Sequence, residues 1–376
     1  MSVRFIHTSD WQLGMTRHFL SDGAQERYSQ SRFNAIRTMG SIAAEEKCQF
    51  MLVSGDAFES NQVDRRTVAK ALEALKQVKV PVYILPGNHD PLNAASVYRS
   101  GTFAERKPEH VHVIENATPI DLGDGVELVG APWMAKRAAV NPIEEVLAAL
   151  EPATGITRIC VAHGCIDEFS PDKNAPGVIT VQTIEDSIAA GKVHFIAMGD
   201  RHSLTKVGGS DRIWYSGTPE ATDFAERSGY AQIVEIVNGQ VSTKEVRVGE
   251  WCFVEPGGVD LNTAEDIQAL QESLESIQRK ELTVVRLRLV GSLSLSLHSL
   301  LQDHLDRAKD VFGAFNVQEE ELLVLPDDAD FADTGLSGFA DATVKRLRAE
   351  IEVGGEKGEL ARDALVLLLR LARGTA

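Results

Sequence analysis

Over the first 250 residues, short apolar runs alternate with stretches of helical periodicity. Runs at Val3–His7, Phe50–Val53, Val82–Leu85, Val111–Ile114, Val126–Gly130, Arg158–Ala162, Phe195–Met198 and Ile213–Tyr215 have strand length. Stretches near 24–46, 64–78, 94–104, 142–150 and 183–190 read as helices. Two further strands, Gln232–Val237 and Val241–Val248, flank Asn238-Gly239, a strong two-residue hairpin signal. Early β-α-β alternation followed by antiparallel pairing predicts an α/β (α+β) sandwich, with two mixed sheets covered by helices.

The pattern changes near 250–265, where Pro256-Gly257-Gly258 reads as a linker or turn. A helix near 263–279, the strand Thr283–Val290, a helix near 296–312 and the strand Glu321–Leu325 follow. Pro326 to Thr334 is acidic and turn-like, and 336–373 carries two helical patterns separated by Gly354-Gly355. The second of these, Glu359 to Ala372, is strongly apolar on one face. The expected division is 1–250, a small α/β unit at 260–330 and a helical segment at 336–376. No internal repeat is visible.

A length of 376 residues exceeds what one core usually supports, consistent with that division. The formal net charge of −17 repels nucleic acid on average, which argues against a stand-alone DNA binder. Binding to DNA would need a local basic patch, a metal site or a partner. Cys48, Cys160, Cys165 and Cys252 form no framework and fit reduced thiols. The opening MSVRFIHTSDW has no apolar signal core, and the run Ala364–Ala372 is too short to span a bilayer. The expectation is a soluble, cytoplasmic protein with no membrane association.

Five polar segments each follow a predicted strand. They are Asp10-Trp11-Gln12, Gly55-Asp56, Gly87-Asn88-His89-Asp90, His163-Gly164 and Gly199-Asp200-Arg201-His202. Loops beyond the carboxyl ends of strands converge on one rim in layered α/β structures. Carboxylates, an amide oxygen and imidazoles suit Mn²⁺, Mg²⁺, Zn²⁺ or Fe²⁺, and one carboxylate can bridge two cations about 3.5–4 Å apart. Alone, Asp-Xaa-Gln or Gly-Asp is an ordinary turn. Gly-Asn-His-Asp after an apolar strand is much rarer by chance, and the ordered set points to a dinuclear centre.

These motifs resemble those of calcineurin-like metallophosphoesterases. His7-Thr8-Ser9-Asp10-Trp11-Gln12-Leu13-Gly14 looks specifically like the SbcD and Mre-type DNA repair nucleases. So does the layout of phosphoesterase domain, small β-α-β cap and C-terminal helical tail. The resemblance is strong over residues 1–240 and weaker beyond. It implies that Asp10, Gln12, Asp56 and His202 hold one metal, and that Asp56, Asn88, His163 and Asp200 surround the other. His89 matches the histidine that protonates the leaving oxygen, and Asp90 would orient it. Gln12 and Asp200 both stand where the family usually has histidine. Their oxygen donors make the site harder and favour Mn²⁺ or Mg²⁺ over Zn²⁺. The bland alternative is one weak metal and low activity.

The implied activity is DNA exonuclease or endonuclease chemistry in repair and recombination, by a hydroxide that two metals activate. A homodimer and an SMC-like ATPase of the SbcC type are the implied partners. Two rival functions remain: a phosphatase or phosphodiesterase for small phosphoesters, or a weakly active scaffold for the ATPase. Trp11 and Arg201 are candidates to contact substrate. Trp133, Trp214, Arg17, Lys136 and Arg137 are weaker ones. Cys160 reads as a buried thiol, and Cys165 is at most a neighbour of the metals. His18, His110, His112 and His194 read as core or surface, while His7 is a candidate for support behind the ligands. The face of Leu365, Leu368, Leu369 and Leu371 either packs on its own domain or docks the partner.

Overall fold

The computed structural model describes residues 2–137, 140–173, 175, 177–325 and 338–372. The acidic stretch Pro326–Thr334 lies outside the described residues, as do the side chains of Leu369 and Leu371. The chain divides into two compact units, Met1–Phe253 and Val254–Ala376.

The first unit contains two six-stranded mixed sheets. One has the order β12-β11-β1-β2-β3-β4, from β1 (Ser2–Thr8), β2 (Phe50–Ser54), β3 (Val82–Leu85), β4 (Val111–Val113), β11 (Tyr230–Val237) and β12 (Gln240–Arg247). The other has the order β5-β6-β7-β8-β10-β9. Its strands are β5 (Ile120–Gly123), β6 (Val126–Gly130), β7 (Thr157–His163), β8 (Phe195–Gly199), β9 (Thr205–Val207) and β10 (Ile213–Tyr215). Strands β1 to β4 are parallel, as are β6, β7, β8 and β10. The antiparallel β11–β12 hairpin turns at Asn238-Gly239, where both residues take positive φ.

Every residue of β2 and β7 is buried, as expected of parallel strands covered on both faces. Phe5, Leu52, Leu85, Leu128, Val161 and Phe195 form the core shared by the two sheets. On the outer face of the first sheet, α1 (Asp22–Glu45) and α2 (Arg65–Leu75) contribute Ile36, Met39, Val68 and Leu72 to a second core. The Asp64 side chain caps α2 by accepting from Thr67 N at 2.9 Å. Helices α4 (Pro142–Ala149) and α5 (Val181–Ala189) cover the other sheet through Ile143, Leu147 and Ile184. The expected sandwich is therefore the observed one, with helix, sheet, sheet and helix in layers.

The differences from sequence expectation are local. The helix expected near 94–104 is a 3₁₀ turn, Val97–Arg99, followed by α3 (Gly101–Arg106). Ser100 is extended between them and caps α3, so the chain bends there. Strands β5 and β9 lie outside the runs that predict strands; each is short and sits at a sheet edge.

Strand β13 (Cys252–Val254) lies at the boundary. In the second unit, β14 (Val259–Leu261), β15 (Thr283–Leu293) and β16 (Ala314–Val324) pair in parallel, with β15 central. Strand β16 begins seven residues before the strand expected at Glu321. Helix α6 (Ala264–Ser276) starts with a Thr263–Asp266 capping box, and α7 (Leu295–Val311) joins it through Leu270, Leu274, Leu301 and Leu305. Helices α8 (Phe339–Val353) and α9 (Gly355–Ala372) pack as a pair, with Val344, Ala361 and Leu365 buried. Among the described residues, no helix is long and apolar enough to cross a membrane.

Candidate metal centre

The polar segments stand at the carboxyl ends of β1, β2, β3, β7 and β8, so both sheets contribute to one site. Four of their side chains come from residues with left-handed backbone: Asp10 (φ 52°), Gln12 (φ 44°), Asp56 (φ 52°) and Asp200 (φ 102°). Non-glycine residues rarely hold such angles, and each costs about 1–3 kcal/mol. The surrounding hydrogen bonds over-determine them. Asp10 N donates to Gly55 O at 3.0 Å, and Gln12 N donates to Asp56 O at 2.9 Å. Gly55 (φ 90°) and Gly87 permit the approach of these loops. A Cβ at Gly55 would strike the His163 ring, and one at Gly87 would strike the Asp56 carboxylate.

One half of the site is closely knit. Asp10, Asp56 and His163 are buried, and one ligand atom from each lies within 4.8 Å of the others. His163 Nε2 lies 2.8 Å from Asn88 Oδ1, 3.3 Å from Asp56 Oδ2 and 3.7 Å from Asp200 Oδ1. Its Nδ1 donates to the Ser54 carbonyl at 2.8 Å, which turns Nε2 toward the acids. Trp133 Nε1 and Asn141 Nδ2 donate to His163 O and fix the end of β7.

The other half is built around Asp10, Gln12 and His202. Ser9 Oγ donates to Asp10 Oδ2 at 2.6 Å, and Asp200 N donates to the same oxygen at 3.1 Å. His202 Nδ1 faces Glu226 Oε1 at 3.0 Å and Thr222 Oγ1 at 2.9 Å, so Nε2 points inward. There it meets Gln12 Nε2 at 3.0 Å. Gln12 is 4 % exposed, and its Oε1 is buried without a hydrogen-bond partner.

His89 sits at the rim, about one-third exposed. Its backbone N–H donates to Asp56 Oδ1 at 2.9 Å, and its Nδ1 donates to Glu59 O at 2.9 Å. The expected role of Asp90 needs correction. Asp90 is fully buried and accepts from Gly87 N at 2.7 Å, Phe58 N at 2.9 Å and Tyr98 Oη at 2.5 Å. It braces the loop from within, and the Glu59 carbonyl holds the His89 ring instead.

Trp11 is likewise not a stacking residue. It is 1 % exposed, donates from Nε1 to Thr8 Oγ1 and belongs to the core under α1. Its ring is turned inward because the left-handed residues on either side point their own side chains into the site. Arg201 is half-buried, stacked 4.0 Å over the Phe169 ring and bonded to Thr205 Oγ1. His7 lies behind the ligands, with Nε2 3.0 Å from Ser54 Oγ. Cys160 is fully buried, and burial pushes its thiol up to about 12, which keeps it protonated.

Sequence reasoning missed Ser54, Asn141, Thr222 and Glu226 as parts of the site, and they carry no motif. Trp133, a weaker candidate for substrate contact, is buried and instead holds the His163 carbonyl. Glu226 lies 24 residues beyond His202, and only the fold brings the two into contact.

The electrostatics fit divalent cations. Burial pushes the Asp10 and Asp200 carboxyls upward. Burial also opposes charge on Asp56, but the neighbouring His163 and His89 hold its carboxyl below the usual range. For His163, burial pulls the imidazole down, yet Asp56, Asp10 and Asp200 raise it well above its ordinary value. Three carboxylates thus favour positive charge beside His163, which a divalent cation would supply. The unpartnered Gln12 Oε1, the oxygen-rich donor set and the close glycine cradle all suit a hard divalent ion.

A family model described as calcineurin-like phosphoesterase matches residues 3–234. The uncharacterized metallophosphoesterase YhaO of Bacillus subtilis is 24% identical over 305 residues, covering 77% of this chain and 71% of that protein. The DNA double-strand break repair protein Mre11 of Sulfolobus acidocaldarius is 23% identical over 293 residues, covering 74% and 70% respectively. The SbcD polypeptide of nuclease SbcCD from Escherichia coli K12 is 23% identical over 287 residues, covering 65% and 67%.

Proposed function

The chain belongs to the calcineurin-like phosphoesterase family, and on that premise we propose that it is a divalent-metal-dependent DNA nuclease that works in the cytoplasm with an SMC-like ATPase. The observation that carries the reading is the meeting of Asp10, Asp56, Asn88 and His163 donors beside a rim histidine whose Nε2 is uncommitted. Asp10, Gln12, Asp56 and His202 would hold one cation, and Asp56, Asn88, His163 and Asp200 the other, with Mn²⁺ favoured. Such ions neutralise phosphodiester oxygens and acidify water.

The chain's own groups supply the rest. The carbonyl of Glu59 fixes the His89 ring, so that Nε2 faces the rim, where it would pass a proton to the leaving oxygen. Asp90 and Tyr98 keep the Asn88-His89 loop rigid from beneath. Glu226 keeps the inward lone pair of His202 in place.

The second unit supports the partner reading. Leu365, from the face expected to pack or dock, is buried in the α8–α9 pair, whereas Phe339, Val353, Leu360 and Leu367 are 57–89 % exposed apolar side chains of the kind a partner covers. The ATPase would cover it and supply the basic surface that a chain of charge −17 lacks. A homodimer belongs to the same proposal.

The charge and the burial of Trp11 favour a second reading, a phosphodiesterase for small phosphoesters. The test is incubation of purified protein with linear and hairpin DNA in Mn²⁺ or EDTA, beside an aryl phosphodiester. Mn²⁺-dependent DNA cleavage is expected. Cleavage of the aryl ester alone would replace the nuclease reading with the second. Fewer than about one cation per chain by elemental analysis would leave only a scaffold.

A further inference from the structure

Beyond Asn88 and His89, the same loop runs on through residues 91–100. Asn61 ties it down: its Nδ2 donates to Pro91 O at 2.9 Å, and its Oδ1 accepts from Val97 N at 2.9 Å. An open recess lies beside this segment, lined by Asn61, Arg65, Ser96, Arg99, Ser100 and Thr102 together with apolar residues. No aspartate or glutamate lines it. In a chain of net charge −17, two arginines in a recess free of acids form an unusual local field.

Arg65 and Arg99 are both exposed, and neither has an ion-pair partner among the described residues. The neighbouring carboxylate, Asp64, is occupied by its own helix, accepting from Thr67 N at 2.9 Å and Thr67 Oγ1 at 2.8 Å. The recess also contains an unmet polar group. Ser96 is 3 % exposed, and its Oγ has no hydrogen-bond partner. Buried hydroxyls are nearly always paired, so this one calls for a partner from outside the chain. Ser100 Oγ accepts from Phe103 N and keeps its own proton to donate.

We infer that this recess is a phosphate subsite, which holds a phosphate of the substrate strand other than the one being cleaved. Guanidinium forks and hydroxyl donors with no acid among them match a phosphodiester anion. The inference rests on the proposed function in one respect: it makes the substrate a polymer with several phosphates and so favours nucleic acid over a small ester. Free phosphate has the same chemistry, and the test separates the two.

The experiment uses the full chain in EDTA, where no cleavage occurs, and a fluorescent single-stranded oligonucleotide of about 20 nucleotides read by anisotropy. The R65Q/R99Q double variant, altered only at exposed positions, should bind about tenfold more weakly and lose roughly 1.4 units of salt slope, about 0.7 per arginine on a single strand. S96A should also weaken binding without lowering the melting temperature, which a purely structural role would not produce. Turnover of an aryl phosphodiester in Mn²⁺ should be unchanged in both variants. Equal oligonucleotide binding by wild type and double variant would overturn the subsite, even if inorganic phosphate bound the wild type. Absence of oligonucleotide binding by the wild type would overturn it too and leave the phosphoesterase reading standing. Arginine-dependent binding by a protein that hydrolysed nothing would keep the subsite and remove the proposed catalysis instead.

Discussion

The strand-end loops of the first unit and the helical pair that ends the second are both incompletely satisfied, in opposite ways. The loops gather three carboxylates, two imidazoles and an unpartnered amide oxygen in a buried space, on backbone held at positive φ. The α8–α9 pair has ordinary helical backbone but leaves Phe339, Val353, Leu360 and Leu367 in water. Buried charge of one sign calls for a compact cation. Exposed apolar surface calls for a broad, non-directional cover. On the proposed function, the difference separates residues that would do chemistry from residues that would recruit a partner.

The largest expected effect falls on Asp56, the carboxylate proposed to serve both cations. Asp56→Ala should lower turnover by more than about 10⁴-fold, roughly 5 kcal/mol, and abolish the rise in melting temperature on adding Mn²⁺. Near-normal turnover with retained metal response would break the first half of the comparison. His89→Ala should lose on the order of 10²–10⁴ in turnover while metal stoichiometry by elemental analysis stays that of wild type. Unchanged turnover would remove His89 from the mechanism.

A pH effect on stability should be next. Burial lowers the His7 imidazole from its ordinary 6.5 to about 4. Between those values the unfolded chain binds a proton that the folded one refuses. Stability therefore falls as pH drops from about 6.5 to 4, by up to about 3 kcal/mol. Denaturation followed across that window should show the slope, and His7→Gln should flatten it. Smaller still, Mn²⁺ at about 100 times its Kd should stabilise by about 2.7 kcal/mol, visible as a rise of several degrees in melting temperature. The smallest expected effect is on the other region. L360S/L367S should change the melting temperature of the isolated chain by less than the equivalent of about 0.5 kcal/mol, yet remove binding to the ATPase in a pull-down. A large loss of stability would make this face part of the chain's own core.

The sandwich was legible because its signal is periodic and redundant. Parallel strands buried on both faces read as apolar runs, and β2, β3 and β7 fall where those runs fall. The hairpin at Asn238-Gly239 was legible because only a few residues tolerate positive φ at both turn positions. The short edge strands β5 and β9 were not, since their pairing depends on a neighbour and not on their own pattern.

The sequence by itself determined which residues carry donor atoms and which strand each of them follows. Position after a strand is local information, and Gly-Asn-His-Asp carries it. Tertiary structure alone decided which atoms those residues offer. It turned Trp11 into the core, gave Asp90 to Gly87, Phe58 and Tyr98, and set the Glu59 carbonyl against His89. It also brought Glu226 to His202 and Ser54 to His163 across long stretches of chain. Orientation is fixed by hydrogen bonds from distant segments and by steric limits on left-handed backbone, and neither has a period or a spacing that a linear chain displays.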